Sequence, residues 1–467
     1  MRAQLERLVD SDALDEVEAI FTVEEGYRAR VREVQWTGDT VTAESVLRAQ
    51  LPFAPGELVT PRMALVLQRR LYDLGLFRSV SVGTTLVDAK DAEEATPGQA
   101  QERLVDVVVE LYDKPNIILD YGLRYRARAS EVTSRSSQSS ETEGFELALR
   151  ARYLQPFRSG GSGSVSFFPQ RDRDVARLRY DRPVFFGRRL NSSAFVEVRE
   201  DRRPEFDFEI ASQSLTLRQS KELFAEARSL DPERPRFELQ WGAHYQESKV
   251  VPGPDAVEIP ELPFNETFRR NQVSLSLIAD SRDNYIDPGS GMLWTLSTQA
   301  GAQAIGSDFD FVRFYGEAAW YKTLGGEDSP WVWASGAKVG SILTDEDFPF
   351  LEDRFTAGGA YSMRGFRTRG LGPQLAGEPI GGRSLTILHQ ELRFPIRGVV
   401  RGGVFLDVGN VFSKPAEFEL DDLRRTAGLG IRATLPFGVL RLDWARVLDS
   451  GPGEGSDRFH LAFGHAF

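Results

Sequence analysis

From Asn116 to the C-terminus the chain alternates apolar and polar residues with a period of two, in segments longer than a soluble strand needs. In residues 117–129 one face carries Ile117, Leu119, Tyr121, Leu123, Tyr125 and Ala127. The other carries Ile118, Asp120, Gly122, Arg124, Arg126 and Arg128. Strands of globular proteins run about 5–6 residues, so this length asks for another explanation. Residues 292–304 repeat the pattern, with Trp294, Leu296, Thr298, Ala300 and Ala302 opposite Leu293, Thr295, Ser297, Gln299 and Gln303. Segments of this kind start near 117, 144, 162, 173, 188, 206, 235, 268, 290, 310, 331, 384, 400, 425, 438 and 458. An even set of about sixteen falls within the range of closed transmembrane barrels, whose lipid face needs only every second residue apolar.

Connection lengths give an independent reading. The stretches 131–143, 250–267, 344–383, 413–424 and 449–457 are long and rich in Ser, Pro, Gly or acids. The connections between them, such as 182–187 and 395–400, are mostly short, and 220–234 departs from the rule. Long loops outside and short turns inside are the convention of outer-membrane barrels. The final segment places Phe459, Leu461, Phe463, His465 and Phe467 on one face, an aromatic ending suited to an interfacial girdle. No run of 18 apolar residues exists, so a helical span is excluded. The chain has no Cys, which removes disulfides, thiolate zinc sites and thiol catalysis. Its net charge of −12, from 57 basic and 69 acidic residues, argues against a nucleic-acid partner.

Ahead of the barrel, residues 27–115 read as a small α+β module of order β-α-α-β-β. Residues 28–36 form a strand ended by Thr37-Gly38-Asp39, and residues 42–50 a short helix. Thr60-Pro61 is an N-cap followed by proline at the first helical position, with Ala64, Leu67, Leu71 and Leu74 on the apolar stripe and Gly75 at the C-terminal end. Residues 77–87 and 104–112 are strands, joined by an acidic tip at 88–102. The module carries no catalytic constellation. Its edge strand is open to an incoming strand or covered by a neighbour, and pattern alone leaves both readings standing. Residues 1–26 lack an apolar signal segment. Val17, Ala19, Phe21 and Val23 alternate there, so this stretch is expected to be the remnant of a preceding module in a mature or truncated chain.

Within 344–383 lies Gly358-Gly-Ala-Tyr-Ser-Met-Arg-Gly-Phe366, where glycines open backbone angles closed to other residues. Long loops in compact folds are usually functional. Parity puts Leu388, Leu392 and Phe394 toward lipid, hence His389, Glu391 and Arg393 toward the lumen; Val404, Leu406 and Val408 toward lipid put Asp407 inside. A loop folded inward brings Arg364 to Glu391 and Asp407 as a charge-assisted latch. A loop left outside keeps Arg364 in solvent, and pattern alone leaves both placements open.

These segments resemble the outer-membrane insertase superfamily of BamA, TamA and the two-partner secretion transporters. Gly358 to Phe366 is similar to its (V/I)RG(F/Y) loop, with Met363 at the aliphatic position. Asp280 to Gly291 resembles its D-x-R-D-N-x-x-x-P-x-x-G turn. Residues 381–384, 391–395, 405–410, 428–432 and 436–438 resemble its C-terminal block in order and spacing, and 377–383 leans toward the BamA and TamA branch. The small module resembles a POTRA domain. The resemblance implies an assembly factor of the bacterial outer membrane, with its N-terminal module in the periplasm. It implies unfolded outer-membrane proteins as clients, the lipid bilayer as a second partner, and periplasmic chaperones or accessory envelope proteins as further ones. Latch residues are Arg364, Gly365, Phe366, Glu391 and Asp407. The resemblance implies a lateral seam of Ile117, Leu119, Tyr121 and Gly122 against Phe463, Gly464 and Phe467, which opens sideways so that a client strand pairs with strand one before leaving into the bilayer. Gly122 and Gly464 either weaken that pairing or allow close packing beside an aromatic.

Rival readings explain less. An outer-membrane enzyme needs an inward nucleophile with a base, and the four histidines at 244, 389, 460 and 465 nominate no triad. Residues 159–163 (SGGSG) sit at a turn and form no nucleophile elbow. The chain is therefore read as non-enzymatic, with no catalytic residue, metal or cofactor. A passive pore would need neither the leading module nor the glycine-rich loop. A polypeptide transporter shares both and is the alternative function.

Overall fold

The structure, a computed structural model, describes residues 2–10, 17–24, 27–87, 102–126, 144–169, 173–204, 206–225, 228, 234–257, 264–326, 329–344, 353–375, 377–415, 420–436, 438–450 and 457–464, with backbone alone at 2–10, 17–24, 123–126, 144–146 and 420. It separates into two compact units. One holds residues 1–116 with the short segments 154–161 and 186–189, and the other holds the rest of 117–467.

In the first unit, β1 (Arg2–Asp10) pairs antiparallel with β2 (Val17–Glu24). There follow β3 (Arg28–Asp39), α1 (Glu44–Arg48), β4 (Leu58–Val59), α2 (Pro61–Asp73), β5 (Phe77–Leu86) and β6 (Glu102–Asp113). The expected β-α-α-β-β order thus holds, with the two-residue β4 added. Thr60 caps α2 by accepting the Met63 N–H at 3.3 Å, and Gly75 takes a positive φ of 71° just past its end. The sheet order is β4-β3-β6-β5, with β3 and β6 parallel. Leu67 and Leu71 of α2 are buried with Val105, Val107, Val109 and Leu111, the inward parity of β6. The acidic tip expected at 88–102 lies, but for Glu102, outside the described residues.

The second unit is one antiparallel sheet of sixteen strands. Its first half comprises β7 (Ile117–Arg126), β8 (Gly144–Leu154), β9 (Ser162–Pro169), β10 (Arg173–Phe185), β11 (Arg188–Arg203), β12 (Phe208–Leu223), β13 (Arg236–Pro252) and β14 (Thr267–Asp280). The sheet continues with β15 (Gly291–Gly301), β16 (Phe311–Leu324) and β17 (Trp331–Leu343). The minor pair β18 (Gln374–Leu375) and β19 (Glu378–Pro379) sits in the following loop. The sheet resumes with β20 (Ser384–Arg397), β21 (Val400–Phe412), β22 (Arg424–Leu435), β23 (Gly438–Val447) and β24 (Asp457–Phe463). Each sheet strand pairs with its neighbour in sequence, β17 bonding β20 across the long loop.

The alternation sorts the side chains into two environments. Leu275, Leu296, Leu429 and Leu442 remain 53%, 55%, 54% and 46% exposed on successive parts of the sheet. A band of aliphatic side chains this extensive suits lipid and would be an aggregation surface in water. At the short-turn end, Trp331 and Phe394 pack with ring centroids 5.6 Å apart and planes tilted by 32°, in the manner of an interfacial aromatic belt. No helix among the described residues is long and apolar enough to cross a membrane. The opposite face carries many buried polar side chains beside an apolar cluster, and among the described residues arginines are its largest fully buried side chains. Leu429 sits in the middle of β22, and replacing it with Arg is expected to cost about 2–4 kcal/mol, as for a residue at the bilayer midplane. Reversible urea unfolding in lipid vesicles measures this, and an unchanged midpoint would remove the lipid-facing assignment.

Candidate functional site

Inward-pointing residues of β20 to β23 build a charged wall. Outward Leu388, Val404, Leu406, Leu429, Ile431, Leu440 and Leu442 fix the parity, which turns His389, Glu391, Arg393, Asp407, Arg432, Arg441 and Asp443 inward. Space for these long side chains comes from glycine: a Cβ at Gly403 would meet the Arg432 guanidinium, and one at Gly430 would meet the Asp443 carboxylate. The segment 353–366 lies buried in the lumen. Its upper part joins an apolar cluster in which Phe355, Ala357, Met363 and Leu371 pack with inward Phe208, Ile210, Val250, Phe268, Phe311, Ile342, Leu385, Ile387 and Val411. Arg270 and Asp353 form a buried ion pair at the start of the segment.

Arg364 is fully buried. Its Nε donates to Asp407 Oδ2 at 2.7 Å and its Nη2 to Asp407 Oδ1 at 2.6 Å, a two-pronged contact. Nη1 donates to Glu391 Oε2 at 2.8 Å, and the guanidinium carbon lies 3.4 Å from the Phe405 ring centroid. Only a planar fork can engage two carboxylates while stacking on an aromatic face, which is why arginine suits this position and lysine does not. Gly365 has φ +94°, and its N–H donates to His460 Nε2 at 2.9 Å. The side chain of Phe366 packs against the apolar cluster, with the Arg424 guanidinium 5.1 Å from its ring.

Glu391 serves more than Arg364. Its Oε2 also accepts Arg432 Nη2 at 2.6 Å, and its Oε1 accepts Arg393 Nε at 2.8 Å. Arg393 in turn donates to the Pro288 carbonyl at 3.4 Å. That proline belongs to the β14–β15 turn, where Asp283 accepts the Gly289 N–H at 3.0 Å and Asn284 accepts those of Ile286 and Asp287 at 2.8 and 3.2 Å. The compact turn aims Asp287 across the lumen, where it accepts from Thr434 Oγ1 at 2.9 Å and pairs with Arg401 at 3.4 Å. The inward loop and the short-turn end of the barrel are therefore joined through one carboxylate.

The hydrogen-bonded order of the sheet begins at β7 and ends at β24, and among the described residues these two share no ladder. Ile117, Leu119 and Tyr121 are 66%, 71% and 86% exposed, and Gly122 is exposed with no described atom within 4 Å of where a Cβ would sit. Gly464 has φ +99°, a backbone angle that favours glycine, and no described atom lies within 4 Å of where its Cβ would be. Phe463 lies in the last strand, and Phe467 lies outside the described residues.

Comparison with known proteins bears on both units. The model described as the Omp85 superfamily domain matches residues 157–467, two thirds of the chain. The chain belongs to the Omp85 superfamily. Residues 29–111 match the POTRA model, described as a surface antigen variable number repeat. The outer membrane protein assembly factor BamA of Nitratidesulfovibrio vulgaris is 30% identical over 197 residues, covering 40% of this chain and 24% of that protein. The BamA of Neorickettsia risticii is 23% identical over 458 residues, covering 95% of this chain and 56% of that protein. The chain thus spans about a quarter to a little over half of these relatives. Among solved structures, BamA from Haemophilus ducreyi lacking POTRA domains 1-3 superposes with a TM-score of 0.71 at 16% identity, covering 99% of this chain and 90% of that one. The likeness is one of fold.

The Omp85 barrel places Arg364, Glu391 and Asp407 in one contact set, with Gly365 and Phe366 beside it. Sequence reasoning passed over Phe405, Arg432, Arg441, Asp443 and His460 as members of the site. Parity carried the signal for the inward position of Arg432, Arg441 and Asp443, since each alternates with lipid-facing leucines or isoleucine. No local pattern announces that His460 would accept the Gly365 N–H, a contact between residues 95 apart.

Arg364→Glu leaves two buried carboxylates facing a third, and breaking a buried pair costs about 3–5 kcal/mol. The variant is expected to lose stability, seen as a lower midpoint in heat-modifiable gel mobility, with partial recovery when Asp407→Arg is added. Arg364→Lys is expected to fall between wild type and Arg364→Glu. Wild-type behaviour of Arg364→Glu would dismiss the contact as a stabilising element.

Proposed function

We propose that this chain folds and inserts client outer-membrane β-barrel proteins, with Arg364, Gly365, Phe366, Glu391 and Asp407 latching the loop inside the barrel. The setting is the bacterial outer membrane, with the POTRA module on the periplasmic side. Clients are captured by strand addition at the seam between β7 and β24. The observation carrying this reading is that β7 and β24 end the hydrogen-bonded order without a ladder between them among the described residues. Unpaired backbone groups in lipid cost several kcal/mol each, so such an edge has a strong drive to take a strand. Edge strand β5 of the POTRA sheet offers a second, softer site for extended client segments.

The loop that packs into the lumen supports a sideways route over passage through the pore, because a through-pore transporter must first expel the apolar cluster around Met363 and Phe355. The activity is tested in liposomes carrying the full chain, by following the heat-modifiable gel shift of an added urea-unfolded outer-membrane barrel. The expected outcome is faster folding than in protein-free liposomes. Absence of acceleration, with an unfolded polypeptide entering the lumen, would replace this reading with that of a transporter. Steady ion conductance without either would leave a passive pore.

A further inference from the structure

The inward loop does more than fasten itself to the wall. The Tyr361 hydroxyl donates to the Phe463 carbonyl at 2.8 Å and accepts the Phe463 N–H at 2.9 Å. One hydroxyl thereby satisfies both backbone groups of a single residue in the last strand, as one residue of a partner strand would. The orientation of Phe463 gives the contact its meaning. Leu440 is opposite Phe463 in the β23–β24 ladder, and the next N–H, that of Gly464, donates to Val439 O at 2.6 Å. Antiparallel ladders alternate between hydrogen-bonded and non-hydrogen-bonded pairs. The N–H and C=O of Phe463 therefore point away from β23, toward the open side of β24 where a further strand would lie.

Tyr361 is held firmly in that position. It is 3% exposed and packs with Ala360 and Ala462. Lys338 Nζ donates to its carbonyl at 2.9 Å, Arg441 Nη2 donates to the Ala360 carbonyl at 2.7 Å, and the Arg441 guanidinium lies 5.4 Å from its ring centroid. A second grip lies three residues earlier in the strand, where His460 Nε2 accepts the Gly365 N–H. Phe463 sits at the short-turn end of β24, opposite the start of β23, so a strand arriving from the periplasmic side meets it early.

We propose that Tyr361 is a positioning residue that blocks the seam: its hydroxyl occupies the strand-pairing groups of Phe463, and a client strand pairs along the whole of β24 only when the loop tyrosine withdraws. This rests on the seam reading above. It ties loop position to edge availability, so that the loop latched through Arg364 keeps the end of the edge capped.

Tyr361→Phe keeps the ring and removes the hydroxyl. Hydrogen exchange of the full chain in lipid nanodiscs, read at single residues, is the first arm. The Phe463 amide is expected to exchange about tenfold faster in the variant, the loss of one ordinary hydrogen bond, while the Ala462 and Gly464 amides, which face β23, stay at wild-type rates. A merely structural role would move all three together. The second arm uses the absence of native cysteine. A Leu461→Cys background is mixed with a urea-unfolded outer-membrane barrel bearing one cysteine in its last strand, and disulfide capture is expected to rise several-fold with Tyr361→Phe.

An unchanged Phe463 amide overturns the proposal. So does a faster Phe463 amide with capture no greater than in the Leu461→Cys parent, where that parent does capture the probe. If neither protein captures the probe and the Phe463 amide still quickens selectively, the cap on Phe463 is upheld and the strand-capture reading of the seam fails.

Discussion

The Glu391 carboxylate accepts hydrogen bonds from three guanidinium groups, those of Arg364, Arg393 and Arg432, and the interior of the barrel is arranged around it. Burying one carboxylate costs several kcal/mol, and its partners repay this only if their donors are well aimed. Each of the three belongs to a different piece of the structure. Arg364 brings the inward loop, Arg432 brings β22, and Arg393 extends to the carbonyl of Pro288 in the β14–β15 turn. Asp407 and Asp443 supply the remaining negative charge, Asp407 to Arg364 and Asp443 to Arg441 at 2.8 Å. Shifting any one member leaves another buried charge uncompensated, so the network sets loop, wall and turn in a single arrangement.

The loop meets the barrel wall in two ways. Through Arg364 it meets Glu391 of β20 and Asp407 of β21 by charge, where direction matters. It meets inward Phe208, Phe268, Phe311 and Ile342 through hydrophobic contact, where direction matters little. A loop held this way has a defined register at the charged cluster and a softer bearing on the apolar one. The same register places Tyr361 at Phe463 and Gly365 at His460, so the loop's anchor and its hold on the last strand share one geometry.

Much of this was legible in the residues. The expected strand starts near 384, 400 and 438 coincide with Ser384, Val400 and Gly438, because lipid on one side and lumen on the other impose a strict period of two. The expected start near 206 is Phe208, and Phe206 accordingly belongs to a turn, where its N–H donates to Arg203 O. In the first unit, Thr60-Pro61 marked the start of α2 through local chemistry alone, whereas β4 is two residues long and exists only because β3 lies beside it. Sequence left open whether Arg364 sat in solvent or in the lumen. No local rule decides between them, since the partners are 27 and 43 residues away.

What the sequence determined by itself is the set of elements and the side each residue faces, because alternation and turn chemistry act over a few neighbouring residues. Glu391, Asp407, Arg432 and Asp443 had to point inward once their leucine, isoleucine and valine neighbours pointed to lipid. What tertiary structure alone decided is which inward groups meet. Strand tilt and stagger bring Tyr361 to the backbone of Phe463 across 102 residues and carry Asp287 to Thr434 across 147. Hydrogen bonds have a reach of about 3 Å, so such partners are chosen by the three-dimensional course of the sheet, which no stretch of sequence contains.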